Sequence, residues 1–561
     1  MLKRILFFFS KRITGLHQAA YVIGFFTLLS QLLGLVRDRL LAYTFGASGT
    51  VDIYYAAFKI PDIVLVMAGS IVSISVLVPF LTKKISQGQG PAKEFIDVVF
   101  TAFFIGVVAI SSLLFIIMPS LTSVVFPGIT DPELVENLIF LSRLFLLSPI
   151  LLGISNIFAS IIQVYRRFFI YAISPLLYNF GIIIGIVLLY PLWGITGLGL
   201  GVVLGVLLHF AIQLPFIIKK GFAPRWSLPA DKSELWRVIR NSLPRTFTLS
   251  INKLALLFLV ALASLLAPGS IAIFNFSWNL QSVPMALVGA SYSLAAFPAL
   301  SQLFSDGNVK GYMLQVQTAI RHVVFWSLPI LSLFIVLRAQ IVRTILGTGE
   351  FGWIATRLTA ASLALFALSV VAQSLVLVLV RAYYAADDTM TPLIASVIGG
   401  TTIIGAAYGL MAAFQNVPFF RLFLESLLRV QGLEGTAVLV LPLAYSIGMI
   451  VMVGLLWYYF QRSFGSFPSE LRRSLWQSAA GAVVSGFVAY QGLVLLAGWF
   501  NLATGWGIFL QGSCAGIIGI AAGVLTLWLL GNKEMDEMWQ ALRERYWHVA
   551  FGAVESVDQQ N

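Results

Sequence analysis

The sequence predicts an all-α polytopic membrane protein of about fourteen transmembrane helices, arranged as two parallel six-helix bundles with two further helices behind them. Three observations predict it: long apolar runs with no polar face, Lys and Arg gathered in alternate loops, and a pair of motifs repeated at nearly one displacement. Of 561 residues, 59% are apolar and 10% charged. A hydrocarbon core of about 30 Å needs roughly 20 such residues in a helix. A soluble core helix would keep a polar stripe, which these runs lack.

Taken in order, the spans fall near 19–45, 53–81, 96–118, 137–162, 168–190, 194–218 and 243–266. They continue near 270–300, 319–337, 358–380, 391–413, 436–460, 474–499 and 505–530. The first two carry charge within otherwise apolar helices, and the third has no charge beyond Asp97 at its start. Only Gln163 to Arg167 part the fourth from the fifth, the pair most easily miscounted. Breaks rich in Pro, Gly or charge bound the others.

Basic loops stay on the cytoplasmic side. With the N-terminus inside, cytoplasmic segments hold twenty-four of the thirty-five Lys and Arg, opposite loops hold five, and six lie in or at the edges of spans. Both ends are therefore expected in the cytoplasm. The formal charge of +12 is spread over loops facing anionic headgroups, so membrane lipids account for it and no nucleic-acid partner is needed. Met1 to Ser10 is basic then apolar without a small-residue cleavage site, which reads as an uncleaved cytoplasmic lead-in. The single Cys514 excludes an intrachain disulfide.

Many transporters are duplicated bundles with the substrate site between the copies. Val78 to Gly88 (VPFLTKKISQG) resembles Phe297 to Gly307 (FPALSQLFSDG), with Pro79 and Pro298 offset by 219. Gln163 to Pro175 and Val380 to Pro392 form a looser pair whose prolines are offset by 217. Span two thus matches span eight and span five matches span eleven, so the halves run parallel. The expected organisation is a lead-in over 1–18, a bundle over 19–220, a cytoplasmic linker over 221–242, and a second bundle over 243–462. Two extra helices over 463–531 and a cytoplasmic tail over 532–561 complete it.

An ionisable residue within a span costs roughly 2.5–3.5 kcal/mol on insertion scales and usually faces a cavity or a partner. Span one holds Arg37, Asp38 and Arg39. Span two holds Asp52, Tyr55, Lys59 and Asp62 on one stripe at i, i+3, i+7 and i+10. Span seven holds Arg245 and Lys253. Cations around a cavity suit a multiply charged anion such as a pyrophosphate, and Arg binds phosphate oxygens bidentately. Arg39 and Arg245 lie near span ends, where snorkelling also accounts for them. Asn275, Asn279 and Ser282 share one face of span eight and either bind substrate hydroxyls or bond helix to helix. The four His are scattered, and no metal, nucleotide or cofactor motif occurs, so neither a catalytic site nor a cofactor is expected. Asp387 and Asp388 read as a solvated loop.

Arg37 to Asp62 (RDRLLAYTFGASGTVDIYYAAFKIPD) resembles the MurJ family pattern of an Arg-Asp pair, a Phe-Gly-Ala turn, an Asp and an F-K-x-P-N ending. Leu243 to Leu254, Phe297 to Gly307, Gly347 to Phe351 (GTGEF) and Arg381 to Pro392 match further motifs in order. The resemblance implies the MOP-exporter fold and a flippase that carries lipid II, an undecaprenyl-pyrophosphate-linked precursor, across the bacterial inner membrane by alternating access. It implies membrane lipids and other cell-wall synthesis proteins as partners. Arg37, Asp38, Asp52 and Lys59 match positions of the family's central cavity. Gln31, Leu65 and Asn279 stand where the family usually has arginines, and Ser282 where it has an acid, so this cavity is less basic.

Competing readings are a flippase for another lipid-linked oligosaccharide, a cationic drug antiporter, a membrane-embedded enzyme and a non-transporting scaffold. A fixed Arg37 would repel a cationic drug, and an enzyme predicts a clustered catalytic set. A scaffold predicts that replacing Arg37 or Asp52 leaves function intact.

Overall fold

A computed structural model describes residues 16–72, 74–227 and 232–540, with side chains described from residue 24 onward except at 70, 71, 74–76 and 232–245. Among the described residues every regular element is a helix. Among the described residues, eleven helical stretches are long and apolar enough to cross a membrane. Helices α1 (Leu16–Phe45) and α2 (Gly49–Ile71) are not among them, each having part of its length outside the described side chains. The stretch Phe168–Lys219 is 52 residues long, more than one crossing needs, and it bends at Gly194, whose φ is 56°. Side chains such as Ile116, Leu192, Phe487 and Ile517 are exposed, as lipid-facing residues of a multi-pass membrane protein are.

The chain packs as two compact units. The first comprises Met1–Leu280, Ile345–Ser362 and Pro392–Ala444. Its inner packing includes Ile96, Ile157, Phe158, Ile161, Ile217 and Phe222. Helix α2 packs on α3 (Pro132–Phe145) and on α4 (Lys232–Ser264), while α1 packs on α5 (Phe168–Ile184). A π-helical turn over Gly185–Leu189 leads from α5 to α6 (Tyr190–Ala211). The α5 segment and α6 meet through glycines: a methyl group at Gly181 would overlap Gly205, and one at Gly185 would overlap Gly201. Small residues let two backbones approach this closely where lipid offers no hydrophobic drive.

The second unit comprises Gln281–Thr344, Leu363–Thr391 and Tyr445–Asn561. Its helix Ser469–Leu495 packs on Gly505–Leu529 and on Val309–Val336. Arg321 forms ion pairs with Glu534 at 3.3 Å and Glu537 at 3.4 Å, which fasten the segment after the last span to Val309–Val336. Cys514 is a free, partly buried thiol.

The repeated motifs take matching local shapes. Pro79 and Pro298 each lie inside a helix, and Gly88 and Gly307 each have positive φ just beyond it. In the looser pair, Arg166 and Asp387, which are 221 residues apart rather than 217, both have φ of 57°. The following amides bond back alike, Arg167 N to Ile162 O at 3.0 Å and Asp388 N to Tyr383 O at 3.0 Å. This is the helix-terminating turn in which one residue turns left-handed so that a later amide reaches back to a free carbonyl.

Candidate functional site: a charged cavity in the first unit

Within the first unit, α1, α2, α4, α5 and α7 (Ser270–Met285) bring the intramembrane charges together around a cavity of about 280 Å³. Arg37, Tyr55, Lys59, Asp62, Lys253 and Asn279 are among its lining residues. Three cations thus stand against the two carboxylates Asp38 and Asp62.

Asp38 is buried and held by three neighbours. Arg37 donates from Nε at 3.0 Å and Nη2 at 2.8 Å to Oδ1. The Tyr55 hydroxyl donates to the same oxygen at 3.3 Å, and Asn279 Nδ2 donates to Oδ2 at 2.9 Å. A buried carboxylate is tolerated when its lone pairs are met in this way. Arg37 also donates from Nη1 to Asn179 Oδ1 at 3.1 Å. Asn179 in turn reaches the Ser30 carbonyl at 3.4 Å and hydroxyl at 3.3 Å, which fixes its orientation.

Lys59 donates to Asn275 Oδ1 at 2.8 Å, and Asn275 Nδ2 donates to Ile271 O at 2.8 Å. Asp62 interacts electrostatically with Lys59 and Lys253. Lys253 is solvent-exposed, whereas Lys59 is half-buried. The stripe read from α2 therefore divides. Tyr55, Lys59 and Asp62 face the cavity, but Asp52 does not line it.

Asp52 instead accepts from Gly269 N at 2.6 Å and Ala272 N at 2.7 Å, at the start of α7. Amides at a helix N-terminus lack intrahelical acceptors, and a carboxylate there also meets the positive end of the helix dipole. Around this cap, backbones close on one another. Glu350 N donates to Tyr43 O at 3.0 Å. Gly46, Gly269 and Gly349 have φ of 63°, 87° and 65°, and a side chain at any of them would strike the backbone of Glu350, Ala47 or Tyr43 respectively. Phe351 is buried edge-on to Phe276 at 5.6 Å, and Phe276 meets Tyr55 at 5.6 Å. The Gly347–Phe351 loop and the Phe-Gly-Ala turn thus form one seal adjoining the cavity.

Of the other sequence candidates, Arg245 lies in α4 with its side chain outside the described residues. Ser282 belongs to the second unit. Asn279 supplies a neutral donor to Asp38. Tyr54, Tyr178, Asn179 and Trp278 are site residues that the charge-based reading missed; a lone Asn in an apolar span was the signal for Asn179. Among the described residues, no three His, Cys, Asp or Glu gather as metal ligands. A larger, mostly apolar cavity of about 1090 Å³ lies elsewhere in the first unit.

A family model described as lipid II flippase MurJ matches residues 41–420. The chain belongs to this family. The lipid II flippase MurJ of Burkholderia cenocepacia is 25% identical over 393 residues, which cover 67% of this chain and 75% of the relative. The probable lipid II flippase MurJ of Vibrio cholerae is 26% identical over 550 residues, 92% of this chain and 97% of the relative. Among solved structures, a lipid II flippase MurJ in an inward closed conformation aligns with a TM-score of 0.72 at 21% identity, covering 92% of this chain and 99% of that one. An inward-facing multidrug resistance MATE transporter of the MOP superfamily aligns at 0.63 with 14% identity, covering 79% and 96%. At these identities the structural matches establish the fold.

Proposed function

We propose that this chain moves lipid II, the polyprenyl-pyrophosphate-linked peptidoglycan precursor, from the inner to the outer leaflet of a bacterial cytoplasmic membrane by alternating access. The observation that carries the reading is the cluster of Arg37, Lys59 and Lys253 around a cavity of about 280 Å³. That volume is below the roughly 300–1,000 Å³ of drug-sized ligand sites, so it suits a charged moiety better than a whole glycolipid headgroup. The pyrophosphate is that moiety.

In the resting arrangement Arg37 is held by Asp38 and Asn179. An arriving anion competes with Asp38 for the guanidinium, while Tyr55 and Asn279 continue to hold the carboxylate. Lys59 needs only to exchange the neutral Asn275 oxygen for a phosphate oxygen. The expected halves over 19–220 and 243–462 would alternate about this site, with both termini cytoplasmic. Three cations in the cavity disfavour a cationic drug as cargo.

The test is complementation of a bacterium depleted of its own lipid II flippase, with the native chain, Arg37→Ala and Arg37→Lys compared at equal membrane levels. Rescue by the native chain, none by Arg37→Ala and partial rescue by Arg37→Lys is the expected result. Failure of a well-inserted native chain would overturn lipid II as the cargo.

A further inference from the structure

The large cavity of the first unit, about 1090 Å³, lies apart from the charged site, between helix α8 (Gln89–Val125) and the consecutive helices α3 and α9 (Leu147–Val164). Its origin can be read from the sequence. Pro119 inside α8 has no amide to give Phe115, so the Phe115 carbonyl is left without its usual helical donor. Arg143 Nε supplies one at 3.0 Å, with its guanidinium carbon 4.7 Å from the Phe115 ring centroid. The groove opens beside this proline turn.

Two features set this groove apart from ordinary lipid-facing surface. The first is an unmet polar group: Ser111 lines the cavity and is 5% exposed, and its hydroxyl has no hydrogen-bond partner among the described residues. The second is separated opposite charge. Arg143 Nη1 and Nη2 make no hydrogen bond among the described residues, and Glu136, two turns nearer the start of the same helix, is exposed and unpaired with it. Helical side chains lean toward the N-terminus, so Arg143 leans along the groove toward Glu136.

We propose that this groove binds one phospholipid with a zwitterionic headgroup, its phosphodiester on Arg143 and its ammonium on Glu136. The acyl chain then lies beyond Arg143, against Val108 and Ile150. Charge complementarity selects the occupant. A lone cation would serve any anionic lipid, whereas a cation with a carboxylate further along the same groove matches a phosphate followed by an amine. Basic pockets between transmembrane helices are established headgroup sites in other proteins. The Ser111 hydroxyl finds its acceptor in the ester region of the lipid. The site is independent of the transported cargo, which the charged cavity handles.

The full chain, purified in a mild detergent and titrated with phosphatidylethanolamine or phosphatidylglycerol, is to be examined by native mass spectrometry. The native protein is expected to retain one phosphatidylethanolamine in preference to phosphatidylglycerol. Arg143→Gln should weaken retention about tenfold, the size of losing one charge-assisted contact. Glu136→Gln, at an exposed position that does not threaten folding, should abolish the headgroup preference while leaving retention of either lipid. Equal binding of both lipids by the native chain, or undiminished retention by a folded Arg143→Gln variant, would overturn the proposal. Copurification of a protein in place of lipid would overturn it too.

Discussion

Asp52 joins two helices distant in sequence, and removing it has a calculable local consequence. Its carboxylate takes the amides of Gly269 and Ala272 at 2.6 and 2.7 Å, and the side chain is buried. Asp52→Ala strands both amides at the start of α7. Each buried donor left without a partner costs about 1–3 kcal/mol, so the first turn of α7 loses roughly 2–6 kcal/mol. At the lower bound, local opening becomes about thirtyfold more frequent, since 1.4 kcal/mol is a factor of ten. Asp52→Asn keeps one carbonyl oxygen and presents an NH₂ group to the second amide, so it should lose about half as much. Amide hydrogen exchange in detergent, followed on a peptide covering 266–275 with Ser469–Leu495 as internal reference, reads this directly. The expected order of exchange is Ala fastest, then Asn, then native. If Asp52→Ala leaves Gly269 and Ala272 as protected as in the native chain, the capping account is wrong.

Three further outcomes follow from the same geometry. Gly46→Val places a β-branched residue at φ 63° against the Glu350 carbonyl; the left-handed conformation alone costs about 1–2 kcal/mol. It should loosen the seal, seen as faster thiol labelling of a cysteine introduced at Ala47 in a Cys514→Ala background. Gly201→Leu drives a side chain into Gly185 and should lower the monodisperse folded fraction on size exclusion, with Gly106→Leu, which meets nothing, as the matched control. Asn279→Arg keeps a donor to Asp38 and adds a cation to the cavity. It should bind a soluble pyrophosphate-sugar analogue more tightly than the native chain in equilibrium binding, with a stronger salt dependence.

The helical class was legible because a bilayer imposes one rule, that apolar runs of sufficient length become helices with internally bonded backbones. Counting crossings was harder where little sequence parts one span from the next, as at Gln163 to Arg167, and where Phe168–Lys219 runs as one bent stretch. The Lys59 and Asp62 positions in the cavity follow from the period of α2. Asp52 shares that stripe yet serves a helix 217 residues away, and nothing in the local pattern distinguishes a cavity acid from a capping acid. Asn179, Tyr178 and Trp278 escaped because uncharged polar and aromatic residues in apolar helices are usually packing residues. The seal was visible as two motifs, but their contact is between backbones, which residue identities register only through their glycines.

The glycine seam between α5 and α6 also bears on how the site keeps its geometry. A contact made of backbone against backbone has no rotamers to change, so this pair of helices behaves as a stiff plate rather than as two rods that slide by repacking side chains. Asn179 is mounted on that plate one residue from Tyr178 and two from Gly181, and through it Arg37 is referred to a fixed frame. A tilt of α1 would therefore register first as a change in the Arg37 to Asn179 separation. A pair of spectroscopic labels on α1 and on the plate would read such a tilt as a distance, with the plate serving as the ruler's fixed end.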